Sequence, residues 1–347
     1  MQFEELGFYT LAGAPTSPRE LLDEVREAEA LGLGTAFISE RFNIKEAATL
    51  SGAAGAVTER LRIATAATNH TSRHPIITAS YATTMHRLTN GRFSLGLGRG
   101  IDPLMAAYGI PKITTASMES FAKLLRRLWA GEAVFDYSDA QRAYPVLHLD
   151  ATFTEEIPLT LVAFGPDTLA LGGRCFDDVV LHTFFTDETT ANAVRIVKTA
   201  AERAGRDPDT VRVWSCFATV GDHIDAPRQL RKTVGRLATY LQGYGDLLVR
   251  TNNWDSAVLD RFRADAMVAA FHGSIDGTAT TDQLEHIATL IPDEWLAAAA
   301  TGSPQQCVTA VRNQFTIGCD RVILHGATPT ELAPILAQYA HEVSRSE

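Results

Sequence analysis

The residues with chemical reach gather in a few short loops rather than in one compact motif. Ser39-Glu40-Arg41-Phe42 and, just after it, Ile44-Lys45 supply an acid, two cations and an aromatic ring. Asn69-His70-Thr71-Ser72-Arg73-His74 adds an amide, two imidazoles and a guanidinium. Gly96-Leu97-Gly98-Arg99-Gly100 exposes backbone amides around an arginine, a pattern suited to an anion. Ala163-Phe164-Gly165-Pro166 sets glycine and proline ahead of a helical stretch, so free amides point outward and form a second anion-ready loop. Neither loop is a nucleotide signature: the first lacks the dinucleotide spacing and the Gly-Lys-Ser/Thr of a P-loop. His70, His74, His86, His148, His182 and His325 show no metal-ligand spacing, so no metal site is expected. His182 and His325 do follow apolar runs, where a ligand could meet them. No Gly-x-Ser-x-Gly elbow is present, which argues against an α/β-hydrolase.

These loops sit where apolar runs end. Strands are expected over 6–11, 35–39, 61–65, 93–97, 159–163, 179–181, 211–220 and 321–324. Helical patterns lie between them, the first opened by Ser17 as a cap with Pro18 and Glu20 behind it. Others are expected over 46–57, 75–88, 118–129, 167–174, 188–204, 228–240, 303–315 and 328–343. Eight strand–helix units without a linker predict an α/β fold, a (β/α)8 TIM barrel forming one domain over 1–347; a doubly wound sheet is the alternative. The rhythm breaks near 132–158, where two apolar runs suggest an inserted hairpin, and over 241–300, read as an insertion of helices and loops. Loops after barrel strands form the active face. The two glycine loops then stand on adjacent strands, with room for one phosphate between them.

The net charge of −10, from 31 basic and 41 acidic residues, argues against a nucleic-acid partner. It leaves room for an anionic small molecule, because local donors outweigh net charge. The four cysteines, Cys175, Cys216, Cys307 and Cys319, are far apart and imply neither a disulfide framework nor a zinc site. No signal-peptide pattern and no membrane-length apolar run occurs, so a cytoplasmic location, a small-molecule partner and no membrane contact are expected.

The stretch Thr58-Glu59-Arg60-Leu61-Arg62-Ile63 through Arg73-His74-Pro75 to Thr89-Asn90-Gly91-Arg92-Phe93 and the glycine run closely resembles the bacterial luciferase-like monooxygenase family. Leu128-Trp129-Ala130-Gly131-Glu132-Ala133-Val134, Ile157-Pro158, Gly165-Pro166, Gly302-Ser303-Pro304 and Gly318-Cys319-Asp320-Arg321-Val322 extend the likeness. The start Leu6-Gly7-Phe8-Tyr9 and Ser39-Glu40-Arg41-Phe42 lean toward the F420-dependent oxidoreductases of actinobacteria. The resemblance implies a (β/α)8 barrel, a homodimer, and coenzyme F420 with FMN as the alternative. The activity implied is hydride transfer to or from an unknown organic substrate. The alternatives are a flavin monooxygenase using reduced FMN and oxygen, or a non-catalytic cofactor-binding protein. It implies a non-prolyl cis peptide at Ala66-Ala67, or one residue later, backing the coenzyme ring. Asn69, Gly98, Arg99, Gly100, Ala163, Phe164, Gly165 and Pro166 would complete the cofactor site. Arg41, Lys45 and Arg73 become candidates for an acidic cofactor tail or a charged substrate. Sugar-phosphate dehydrogenases of the family carry a histidine, a tryptophan and a glutamate where this chain has Arg41, Lys45 and Ile101, so a glucose-6-phosphate substrate is not expected. Glu40, His70 and Asp102 remain as candidate general acids or bases.

Overall fold

The computed structural model describes residues 1–12, 15–42, 44–139, 142–149 and 155–345. Its strands are β1 (Phe3–Tyr9), β2 (Leu33–Ile38), β3 (Arg62–Thr65), β4 (Phe93–Leu97), β5 (Val134–Ser138), β6 (Ala143–Leu147), β7 (Leu159–Val162), β8 (Asp178–Val180), β9 (Arg212–Gly221), β10 (Ala300–Gly302) and β11 (Arg321–His325). The order β9-β11-β1-β2-β3-β4-β7-β8 returns to β9 through a second β8 pairing, so eight parallel strands close into a barrel. Closure sets aside the doubly wound alternative, which has two free edges.

The parallel strands are covered on both faces, which is why they read as continuous apolar runs. Every residue of β2 and of β4 is buried. Outside, the helix Thr115–Trp129 shows how the ring of helices docks: Met118, Phe121, Leu125 and Leu128 recur at helical spacing and are all buried. Each such side chain contributes about 1.5–3 kcal/mol on burial. Inside the barrel, Phe37, Ala64, Ala66, Val180, Trp214, Cys216 and Ile323 form a separate cluster. Phe37 meets Trp214 edge to face at 4.9 Å. The small alanines of β3 make room for those two rings.

Several boundaries differ from the sequence reading. The first helix starts at Glu20 rather than after Ser17. The Glu20 carboxylate accepts the amides of Thr16 and Ser17 at 3.0 and 2.9 Å, which holds that turn outside the helix. The helix expected over 228–240 is longer: Ala226–Leu230, a wide turn Arg231–Gly235 and Arg236–Thr251 run on without a break. It is bent at Tyr244 (φ −155°, ψ 37°), between Gly243 and Gly245. Short helices follow from Ser256 to Leu296, and β10 pairs outside the barrel with β9, a strand not expected. A short helix Asp102–Ala107 was also missed. β5 and β6 form the expected antiparallel hairpin; residues 140, 141 and 150–154 of that insertion lie outside the described residues. Among the described residues, no helix is long and apolar enough to cross a membrane.

A pair of glycines separates close packing from mere tolerance. A Cβ at Gly96 would stand 1.6 Å from the Thr65 carbonyl oxygen, whereas one at Gly52, in the helix Ala47–Ala56, meets nothing within 4 Å. Gly96→Ala is expected to abolish cooperative urea unfolding. Gly52→Ala should raise stability by about 0.5–1 kcal/mol, because alanine loses less backbone freedom in a helix.

Candidate active site

The mouth of the barrel is organised by the way β3 leaves β4. Their ladder pairs Ile63 with Phe93 and Ala64 with Ser94, then stops. Thr65 continues it with its side chain: Oγ1 donates to the Gly96 carbonyl at 2.9 Å and accepts the Gly96 N–H at 2.7 Å. Backbone bonding resumes at Thr68, which donates to the Gly96 carbonyl and accepts from Gly98 N–H. Between lie Ala66 and Ala67, joined by a cis peptide at the first of the two positions the family likeness implied. A Cβ at Gly98 would stand 2.7 Å from the Ala67 Cβ, so at that point the two loops approach with no room for a second side chain. Gly100 has φ +75°, a conformation that favours glycine.

The loop after β3 is tied inward. Asn69 caps a short turn by accepting from Thr71 N–H, and its amide donates to the Arg99 carbonyl at 3.2 Å. His70 is buried and stacked on Phe121, with ring centroids 4.8 Å apart. Burial pushes its pKa down to about 4, so it is neutral at physiological pH. Its Nδ1 is buried without a partner among the described residues.

Arg73 is not the free cation expected from the sequence. Its guanidinium lies between Glu40 and Glu46 and also donates to Thr68 Oγ1 at 2.6 Å. Glu40 in turn accepts from both Arg73 and the Thr68 hydroxyl. The pair thus fastens the loop after β2 to the loop after β3. This occupies the carboxylate that sequence reasoning had offered as a general acid or base. Asp102, the third such candidate, is exposed and pairs with Lys112 at 3.1 Å.

The two glycine loops stand side by side, because β4 pairs with β7 from Leu95–Leu159 to Leu97–Leu161. Gly165 caps the helix Pro166–Cys175, and a Cβ there would meet nothing within 4 Å. Ala163 is buried and Pro166 exposed. The Arg99 guanidinium is committed elsewhere, donating to the Thr115 hydroxyl at the start of the helix Thr115–Trp129. The anion-ready groups of this loop are therefore its amides.

Beyond Phe164 begins a set of rings that sequence reasoning reached only in part. Phe164 packs against His182 with centroids 4.5 Å apart, and His182 against Tyr240 and Tyr244 at 4.9 Å. His182 Nδ1 donates to the Thr183 carbonyl, which leaves Nε2 to accept from the Tyr244 hydroxyl, each at 2.9 Å. Burial holds the His182 pKa near about 4. His325, at the end of β11, meets Tyr9 edge to face at 5.2 Å, and its Nδ1 is buried and unpartnered among the described residues. Burial, then Arg236, His182, Arg41 and Lys232, depress its pKa far below the usual histidine range.

Tyr240, Tyr244, Lys232 and Arg236 were missed because they lie on the bent rod from 226 to 251, partly within the irregular insertion. Gly243-Tyr244-Gly245 was the one local signal there. Among the described residues no group of His, Cys, Asp and Glu could hold a metal ion. The described cysteines are free, and burial pushes the Cys216 thiol inside the barrel up to about 12.

Known proteins share this architecture along nearly the whole chain. The family model for luciferase-like monooxygenases matches residues 5–321. An F420-dependent glucose-6-phosphate dehydrogenase of Intrasporangium calvum is 26% identical over 344 residues, covering 94% of each chain. A 5,10-methylenetetrahydromethanopterin reductase of Methanolobus tindarius is 25% identical over 309 residues, 85% of this chain and 86% of its own. Among solved structures, the coenzyme F420-dependent tetrahydromethanopterin reductase of Methanopyrus kandleri superposes with a TM-score of 0.79 at 18% identity, covering 96% of both chains. With the match spanning nearly the whole barrel, the chain belongs to the luciferase-like monooxygenase family.

Proposed function

We propose that this protein is an oxidoreductase that uses coenzyme F420 to move hydride to or from an organic substrate. The observation that carries the reading is the pairing of β4 with β7, which sets the two amide-bearing glycine loops side by side on the active rim. Support for F420 over FMN comes from the Intrasporangium relative that covers 94% of this chain, whose name carries F420 dependence.

The residues present fit the group. The amides at Arg99, Gly100 and Gly165 suit its phosphate, and the open space over Gly165 leaves room for it. Ala66, Ala67 and Gly98 present almost no side chain, so a flat ring can rest against backbone. Phe164, already packed on His182, would border the same surface, with Asn69 holding the Arg99 loop in place. When bound, the coenzyme supplies a carbon that carries hydride.

The chain itself must manage the accompanying proton. With Glu40 committed to Arg73 and His70 stacked and neutral, the groups at the mouth with a hydroxyl to offer are Tyr244, bonded to His182, and Tyr9, beside His325. A homodimer belongs to the same reading, and sedimentation of the purified protein would test it.

Titration of the purified protein by fluorescence should give saturable F420 binding in the micromolar range, with FMN weaker by about tenfold or more. Tight FMN binding without F420 binding would overturn the choice of coenzyme. Gly165→Val should cost the apo protein no more than about 1 kcal/mol, the loss of a glycine N-cap, since an added Cβ meets nothing within 4 Å. The same substitution should weaken coenzyme binding by about tenfold or more, through lost access to the amides.

The buried histidines set a pH expectation. His70 and His182 have folded pKa values of about 4, below the unfolded value of about 6.5. The unfolded chain then binds more protons between these limits, so stability is full above about pH 6.5 and falls as pH drops toward 4, by up to ~1.4 kcal/mol per pH unit for each residue. His70→Phe should flatten the decline of the urea midpoint between pH 7 and 5; an unchanged slope would refute the assignment for His70.

A further inference from the structure

Across the barrel from the glycine loops, the rim carries full charges in place of amide dipoles. Around the closed sheet, β4 and β7 stand opposite β11 and β1, and four cations crowd the latter side. Lys45 donates to the carbonyl of Leu11, just beyond β1. Lys232 donates to the carbonyl of Gly326, just beyond β11, and lies 3.0 Å from Glu331. Arg41 follows β2, its backbone paired with Lys45, and its side chain forms no ion pair among the described residues. Arg236 comes from the rod that packs over this side; its guanidinium carbon lies 6.0 Å from the centre of the Tyr240 ring.

Two nitrogens there lack partners. Arg236 bonds Asp276 at 3.0 Å through Nη1, but its Nε is buried and unpartnered among the described residues. The same holds for His325 Nδ1 on the neighbouring strand end. Two such nitrogens on one rim leave hydrogen-bonding capacity that a ligand would satisfy. The field leans positive although Glu331 and Asp276 pair with Lys232 and Arg236: Arg236 and Arg41 both act on His325 and on Tyr240, and both lower the pKa of Lys45 against an opposing Glu24. In a chain of net charge −10, such a cationic pocket would focus an anion.

We propose that this rim binds the acid group, phosphate or carboxylate, of an anionic substrate, gripped by Arg41 and Arg236. The word substrate rests on the oxidoreductase reading; the anion site does not. Arg236 supplies the buried, preoriented fork, while Arg41 closes from the solvent side. Lys45 and Lys232, each committed to a backbone carbonyl, add charge without taking part in the grip. Arg73, neutralised by two carboxylates, has no share in it. The coenzyme phosphate is served by amides on the far side, so the two anions do not compete.

Calorimetric titration at low salt would test this, with inorganic phosphate and acetate as probes, on the protein alone and on protein saturated with F420. At least one probe should bind in both states, with affinity falling as salt rises. Arg41→Ala, which removes an exposed side chain, should weaken binding by about tenfold. Arg236→Lys keeps the charge opposite Asp276 but loses the fork, and should weaken it as well. Lys123→Ala, on an outer helix, should have no effect. Failure of both probes to bind, or binding that Arg41→Ala leaves unchanged, would overturn the proposal. F420 titration of the same samples separates the two readings: Arg41-dependent anion binding without F420 binding sinks the coenzyme and keeps the site, and the reverse result does the opposite.

Discussion

The geometry of the mouth depends on the two hydrogen bonds exchanged between the Thr65 hydroxyl and the backbone of Gly96. By taking over from the ladder, this side chain lets residues 65–67 depart from β4 while both strand ends stay fixed. Gly96 has no alternative at this closeness, and its carbonyl serves Thr65 and Thr68 together. From that junction the positions of Ala66, Ala67, Gly98 and Asn69 follow in turn, and through Asn69 the start of the Arg99 loop. A threonine bonding across a parallel pair is a local device, but the surface at which a flat ligand would rest is its direct product.

The same mouth divides its polar groups by kind. On the β4–β7 side, amides carry the positive potential and the nearest guanidinium, Arg99, is turned toward Thr115. On the β11–β1 side, full charges carry it. Between them stand His182 and Tyr244, the imidazole neutral because burial outweighs any partner. A centre with no net charge, flanked by two positive rims, suits a reaction in which hydride moves and charge must not leak to solvent.

What the sequence made legible was whatever depends on local pattern. Eight apolar runs with helical spacers led to the barrel, and glycines at the ends of 93–97 and 159–163 led to the anion-ready loops. The partner choices of long side chains were not legible. Nothing in Asn69-His70-Thr71-Ser72-Arg73 says that Arg73 reaches Glu40 and Glu46, or that His70 lies flat on Phe121, because those partners are brought by other strands and helices. Arg236 and Tyr244 were hidden for a related reason. Their helix carries a wide turn and a bend, so the 3.6-residue period blurs where the functional face begins. β10 escaped notice because three residues on the outer edge of β9 give no pattern to read.

The Arg73 ion pairs have a consequence for whatever meets Arg41. Glu40, one residue earlier, is held through Arg73 to the loop after β3, and Arg41 N–H bonds the Lys45 carbonyl at 2.9 Å. The backbone at Glu40 and at Arg41 is thus already held, while the Arg41 side chain is exposed. Capturing a ligand would immobilise one side chain, about 2 kcal/mol of rotamer entropy, and spare the further ~1–2 kcal/mol per residue that ordering a loose loop requires. At Arg41, little backbone freedom is left to lose at the moment of binding.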